Sequence, residues 1–252
     1  MAEYKLSKTE FFEAINLWDT KKKDFSEIQQ LIDPAHVFYF SKNASAWVKD
    51  NNEFNSFRVY AGVYNRSFVL IIRPLDANGK EKTLKEYFAV ELQALNNELT
   101  LVETDVVTTV YKTVLSKNLE IGKAWKEVDL PVYNEPTITE RASVKDIECW
   151  KYDCLSWFFN EVHTTDGLNI FKYFTVPFAD LDTQSDKKKE VIALFGFKFS
   201  SVFQKMLPVL IFVADSKENN TSEIMRLNQD QDSLTTNTRD WSSPSPPFPS
   251  LI

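Results

Sequence analysis

The chain has 252 residues, 43% of them apolar and 26% charged, with a formal net charge of −7. This is enough apolar material to bury a core in one large domain or two small ones, which excludes disorder of the whole chain. Only six residues are arginine (58, 66, 73, 141, 226 and 239), and an acidic, lysine-dominated balance argues against a nucleic-acid partner.

SKTEFFEAINLW opens the pattern as a helix. Ser7 with Glu10 three residues later matches a capping box, and Phe11/Phe12, Ile15 and Trp18 share one face. Lys21–Asp24 reads as a charged turn, and the lysine triplets at 21–23 and 187–189 read as solvated loops. SEIQQLIDP is a second short helix stopped by Pro34, and His36–Phe40 is an apolar strand that His36 begins. Phe57–Tyr64 and Phe68–Leu75 are β-prone segments with a short hairpin connection at Asn65-Arg66-Ser67, and Asp76–Gly79 forms the next turn. Leu84, Phe88, Leu92, Leu95 and Leu99 then switch to helical spacing over residues 83–100. Residues 104–127 have a helical period in a β-branched composition and are read as helix, and Leu130–Pro136 as a linker. Ser143 with Asp146 opens an amphipathic helix through Ile147, Trp150, Cys154, Trp157/Phe158 and Val162. Phe171–Leu181 is strongly aromatic, Val191–Phe199 and Pro208–Ala214 are strands, and Asp215 starts a turn.

The two halves repeat one order of elements. Gly62 and Gly196 differ by 134 positions, and so do Tyr39-Phe40 and Tyr173-Phe174. The expected fold is therefore α+β, with two similar tandem modules at 1–134 and 135–227, each packing helices on an antiparallel sheet. The sheets should join edge to edge, because an apolar strand such as Val209–Val213 makes a poor open edge. Residues 228–252 form a polar, then Pro-rich tail.

Tyr60, Gly62, Leu70–Ile72, Asp76 and Gly79 spell an aromatic/glycine strand followed by an apolar strand ending in Asp and a turn. This unit, with the tail SSPSPPFPSLI, resembles an uncharacterised family of small bacterial α+β proteins. The second copy departs from the pattern at Ser216–Asn219, which holds no glycine. The resemblance implies a fold and carries no activity.

Most common chemistries lack their residues. No two of the five glycines lie close in sequence, so neither a dinucleotide-binding turn nor a phosphate-binding loop is present. Cys149 and Cys154, on one helix, point about 140° apart and are expected as free thiols, suited to a reducing compartment. With only His36 and His163 besides, neither a metal site nor a cofactor is expected. The opening residues MAEYKLSKTEFF carry no apolar run, and runs such as Phe68–Ile72 are too short for a bilayer, so the expected location is the cytoplasm, without membrane association.

Three ionisable residues are candidates for a site: Asp76 and Asp215 at strand ends, and His163 at a helix end. Each also has a local role, in starting a turn or in capping a helix. Trp150, Trp157, Trp241 and Phe248 are candidates for an interaction surface, since a helix aromatic nearly all round is buried in its own core or against a partner. The tail's PxxP spacing could suit a polyproline ligand, or the tail could drape over the domain through Trp241 and Phe248. The composition favours a non-catalytic interaction protein, in an adaptor or immunity-like role, with an unknown protein partner or by self-association. The alternative is a small-ligand binder or an enzyme of an unrecognised class, using a cleft between the modules.

Overall fold

The computed structural model describes residues 3–95, 140–178, 181, 190–200, 203–215, 238–239 and 243–246. Among them, four helices surround one antiparallel sheet of ten strands, an α+β architecture. The first half gives β1 (Glu3–Ser7), α1 (Lys8–Lys21), α2 (Phe25–Leu31), β2 (Val37–Phe40), α3 (Lys42–Asn51), β3 (Ser56–Tyr64), β4 (Ser67–Arg73) and β5 (Glu86–Gln93). The second gives α4 (Glu140–Thr165), β6 (Tyr173–Pro177), β7 (Glu190–Ser200), β8 (Lys205–Asp215), β9 (Thr238–Arg239) and β10 (Ser243–Ser245).

Local sequence explains the best-defined elements. Ser7 and Glu10 make the reciprocal capping box that starts α1, which buries Phe11, Ala14 and Trp18. Phe12, expected on that face, is exposed. The β3–β4 hairpin closes on Asn65 and Arg66, both with positive φ, as a two-residue loop of matching twist demands.

The sheet order is β10-β6-β3-β4-β5-β2-β7-β8-β9, with β1 added on β5. The halves join edge to edge twice, through β2 on β7 and β6 on β3. The two ends of this order, β9 and β10, are separated only by residues 240–242, and β10 also lies beside β8. The sheet is thereby curled into a barrel. Along a flat sheet β4 and β7, three strand spacings apart, would stand about 14 Å from each other. Instead the Phe68 and Phe195 rings lie 6.2 Å apart. Phe195 also meets Phe38 at 5.5 Å and Phe174 at 6.1 Å, so β2, β4, β6 and β7 converge on one aromatic centre. Alternate residues of each strand fill this interior, among them Val59, Leu70, Val90, Ala193 and Leu210, in one continuous core.

The outer face is covered by helices at two places, and a glycine marks each. Gly62 pairs with Val69, and a Cβ there would lie 2.8 Å from Ile71 Cδ1 and 3.3 Å from Ala14 Cβ of α1. Gly196 pairs with Val209, and its Cβ would lie 2.6 Å from Ile211 Cδ1 and 3.4 Å from Asp146 Cβ of α4. Each glycine thus faces an isoleucine two residues beyond its strand partner and admits a helix at close range. The aromatic match is shifted, however. Phe38 pairs with Ala193 and Phe174 with Val59, and 193 − 59 = 134. Phe38, not Phe40, therefore takes the position corresponding to Phe174.

Other expectations are corrected. Residues 83–100 were expected as helix, but Glu86–Gln93 is the strand β5. Its leucine and phenylalanine spacing of four is also a multiple of two, and both faces are buried: Tyr87 and Ala89 under α1, Phe88 and Val90 inside the barrel. Ser143 is no N-cap, since α4 already begins at Glu140. Lys22, expected in solvent, is 2% exposed, with Nζ 2.8 Å from Asp19 Oδ1 and donating to the Ile170 carbonyl at 3.2 Å. The Pro-rich tail contributes β10 to the wall, with Pro244 opposite Phe174. The helix expected at 104–127, the linker at 130–136 and the turn after Asp215 lie outside the described residues.

Candidate functional site

The ionisable candidates are dispersed. Asp76 accepts from the backbone N–H groups of Asn78 at 2.8 Å and Lys80 at 2.9 Å, which folds the turn after β4. Asp215 ends β8, with its backbone paired to Glu190. In the sheet order β5, β2 and β7 stand between β4 and β8. His163 lies in the last turn of α4, with Nδ1 2.8 Å from the Phe159 carbonyl oxygen and its ring 3.9 Å from the Phe159 ring. Beyond it the chain reverses through Asp166 and Gly167, both with positive φ. A Cβ at Gly167 would lie 2.5 Å from the Lys22 carbonyl oxygen, so this glycine lets the end of α4 rest on the end of α1.

The tryptophans of α4 do not form a surface. Trp150 is 1% exposed and stacks on Phe195 at 4.6 Å, and half-buried Trp157 packs beside Phe158 and Phe197. Of the two readings open for these rings, burial in the chain's own core fits Trp150 and not the interaction face: residues 150, 154 and 158 form the buried stripe, aimed at the inward rings of β7. Trp241 and Phe248 lie outside the described residues. Cys154 belongs to the same stripe, and burial pushes its thiol up to about 12. Both cysteines are free.

The opposite face of α4 carries part of the exposed apolar surface, which among the described residues also includes Leu17 and Phe199. Tyr152 is 73% exposed and Phe159 45%. Seven residues apart, they are about 20° from alignment and share one outward stripe with exposed Ser156 and His163. Phe25 of α2 meets Phe159 edge-on at 5.4 Å and the His163 ring lies against it, so part of that ring is covered and the remainder faces solvent. Leu168, just past the helix end, is 64% exposed. The sequence signalled two aromatic faces on this helix, but not which of them the barrel uses.

Sequence reasoning missed a polar cluster on the outer wall. Arg58 and Arg73 stand opposite each other on β3 and β4, and Glu81 takes both guanidiniums together with the Tyr60 hydroxyl. Burial, then the bond to Glu81, pushes the Tyr60 phenol well above its ordinary range. Arg58 also lies 4.8 Å over the Tyr173 ring, and Arg73 lies 5.4 Å over Phe11. Two of the six arginines thus tie the 74–85 connection to the sheet. The only signal for this in the sequence was the scarcity of arginine.

Among the described residues no group of three or more His, Cys, Asp or Glu is placed to hold a metal, and no helix is long and apolar enough to cross a membrane. Comparison with known protein families, characterised proteins and solved structures returned no match.

Proposed function

We propose that this protein is a non-catalytic interaction protein of adaptor or immunity-like type, working in the cytoplasm, whose partner seats on the outward stripe of α4. The observation that carries this reading is the pair Tyr152 and Phe159, large rings left in solvent on a helix whose other face is already used by its own core. Rings of this kind supply large contact area at low entropic cost and are enriched at interfaces. The charge of −7 suits a partner with a basic rim around an apolar centre.

The chain is also proposed to consist of two copies of one unit, residues 1–134 and 135–227, with the tail completing the second copy. The matched surroundings of Gly62 and Gly196 and the paired offset of 134 support this. In that reading β9 and β10 together take the role of β5: β5 pairs first with β4 and then with β2, while β9 pairs with β8 and β10 with β6.

The double variant Tyr152→Ala/Phe159→Ser tests the interaction face. Tyr152 projects into solvent and Phe159 gives up only its contacts with Phe25 and His163, so the variant should stay folded and melt slightly below the wild type. It should lose the proteins that the wild type retains from native lysate, or its self-association in sedimentation. Retention of the same proteins at the same level by the double variant would sink the reading.

A further inference from the structure

The barrel wall has a split beside β1. On one edge of β5, β1 occupies Glu86–Val90, and β2 pairs only at Leu92 and Gln93. Below that point β2 parts from β5, stays paired with β7 as far as Phe40, and then turns into α3, capped by Ser41. Between β1 and α3 lies an open groove of about 440 Å³.

Its lining carries charges of both signs. From α3 come Asn43, Trp47 and Asp50, spaced four and then three residues apart on one helix face. From β1 come Glu3 and Lys5, two residues apart on one strand face. Phe88 joins them, its ring 6.1 Å from that of Trp47. Glu3 is already committed: its carboxylate accepts from the Ser41 N–H at 2.9 Å and the Ser41 hydroxyl at 2.8 Å, holding the start of α3 against β1. Lys5 and Asp50 are different. They carry opposite charges and line the same groove, yet neither makes an ion pair or side-chain hydrogen bond among the described residues. Lys5 lies on the strand side and Asp50 on the helix side, with the Trp47 and Phe88 rings in the same lining.

We infer that this groove binds a small zwitterion with an apolar body, of the class of a free α-amino acid carrying an aromatic side chain. Its ammonium meets Asp50, its carboxylate meets Lys5, and its side chain lies against Trp47 and Phe88. Charge-assisted hydrogen bonds give such a pair of contacts both strength and orientation. A cation alone would make no contact with Lys5, and an anion alone none with Asp50.

The test uses L-phenylalanine as the probe, with phenethylamine lacking the carboxylate and 3-phenylpropionate lacking the ammonium. Binding to the full chain is followed by calorimetry and by tryptophan fluorescence. Phenylalanine should bind, and each one-charge analogue should bind at least about tenfold more weakly. Lys5→Met and Asp50→Asn alter exposed side chains, so both variants should melt as the wild type does. Each should lose about the same tenfold for phenylalanine. The inference is overturned if the wild type shows no binding at millimolar phenylalanine, if either analogue binds as well as phenylalanine, or if both variants bind as the wild type does.

Discussion

Trp18 of α1 donates its indole N–H to the main-chain carbonyl of Phe171 at 2.9 Å, and both residues are buried. They are 153 positions apart, so this bond ties the first helix to the approach of β6. The Trp18 ring also packs edge-on against Phe68 at 4.9 Å and stacks with Phe171 at 5.9 Å. Polar and apolar contacts thus hold the two halves together at one point.

Replacing Trp18 with Phe removes the donor and leaves the Phe171 carbonyl without its partner in the interior. The expected cost is about 1–3 kcal/mol, read from the urea midpoint at unchanged slope. Trp150→Ala deletes a fully buried ring and should cost about 3–5 kcal/mol. Half-buried Trp157 should cost less on the same substitution. A Trp157→Ala variant as unstable as Trp150→Ala would contradict the placement of the buried stripe on residues 150, 154 and 158.

The glycines separate into two kinds. At Gly62 and Gly196 an added methyl first meets the far end of an isoleucine, which can shift, so Gly→Ala should cost about 1 kcal/mol at Gly196 and somewhat more at Gly62, where the Ala14 Cβ at 3.3 Å must also give. At Gly167 the same methyl meets a fixed backbone carbonyl, and φ is +69°, so Gly167→Ala should cost about 1–3 kcal/mol. Thermal melts of the three variants check the order, and a Gly167→Ala melt equal to the other two would refute it.

Asp19 sets an acid limb of stability. Burial would raise its carboxyl, but the hydrogen bond and charge of Lys22, with Lys172 at 3.2 Å, outweigh burial and hold it below the usual range. A carboxyl lower in the folded than in the unfolded chain contributes fully above the unfolded value, and the contribution is lost as pH falls through the folded value. The stability gap between wild type and Asp19→Asn should therefore be complete near pH 6 and shrink below about pH 4. A gap that stays constant down to pH 3 would show that Asp19 acts through packing alone.

Much of the wall was legible in the sequence because its signals are local. Alternation in Phe57–Tyr64 and the short connection at Asn65-Arg66 define a hairpin without reference to anything else. β5 was not legible, because a strand buried on both faces has no polar side to mark its period. β1 and α3 are short and mostly polar, with Leu6 the buried residue of β1 and Ala44 and Val48 those of α3. Closure of the barrel rests on Ser243–Ser245, where Pro244 lacks an N–H and reads as tail rather than strand. The candidate surfaces follow the same logic. The aromatic excess of α4 announced two faces, but only the positions of Phe195 and Phe197 decide that Trp150 turns inward and Tyr152 outward. The groove stripe of Asn43, Trp47 and Asp50 becomes visible once α3 is known to be a helix.

The most direct test of the interaction face is site-specific photocrosslinking in cells, with benzoylphenylalanine in place of Tyr152 and, as a control, in place of Asn78 in the exposed turn after β4. The account predicts a discrete adduct of defined mass from position 152 and none from position 78. No adduct from position 152, or the same adduct from both positions, would contradict a partner seated on the outward stripe of α4.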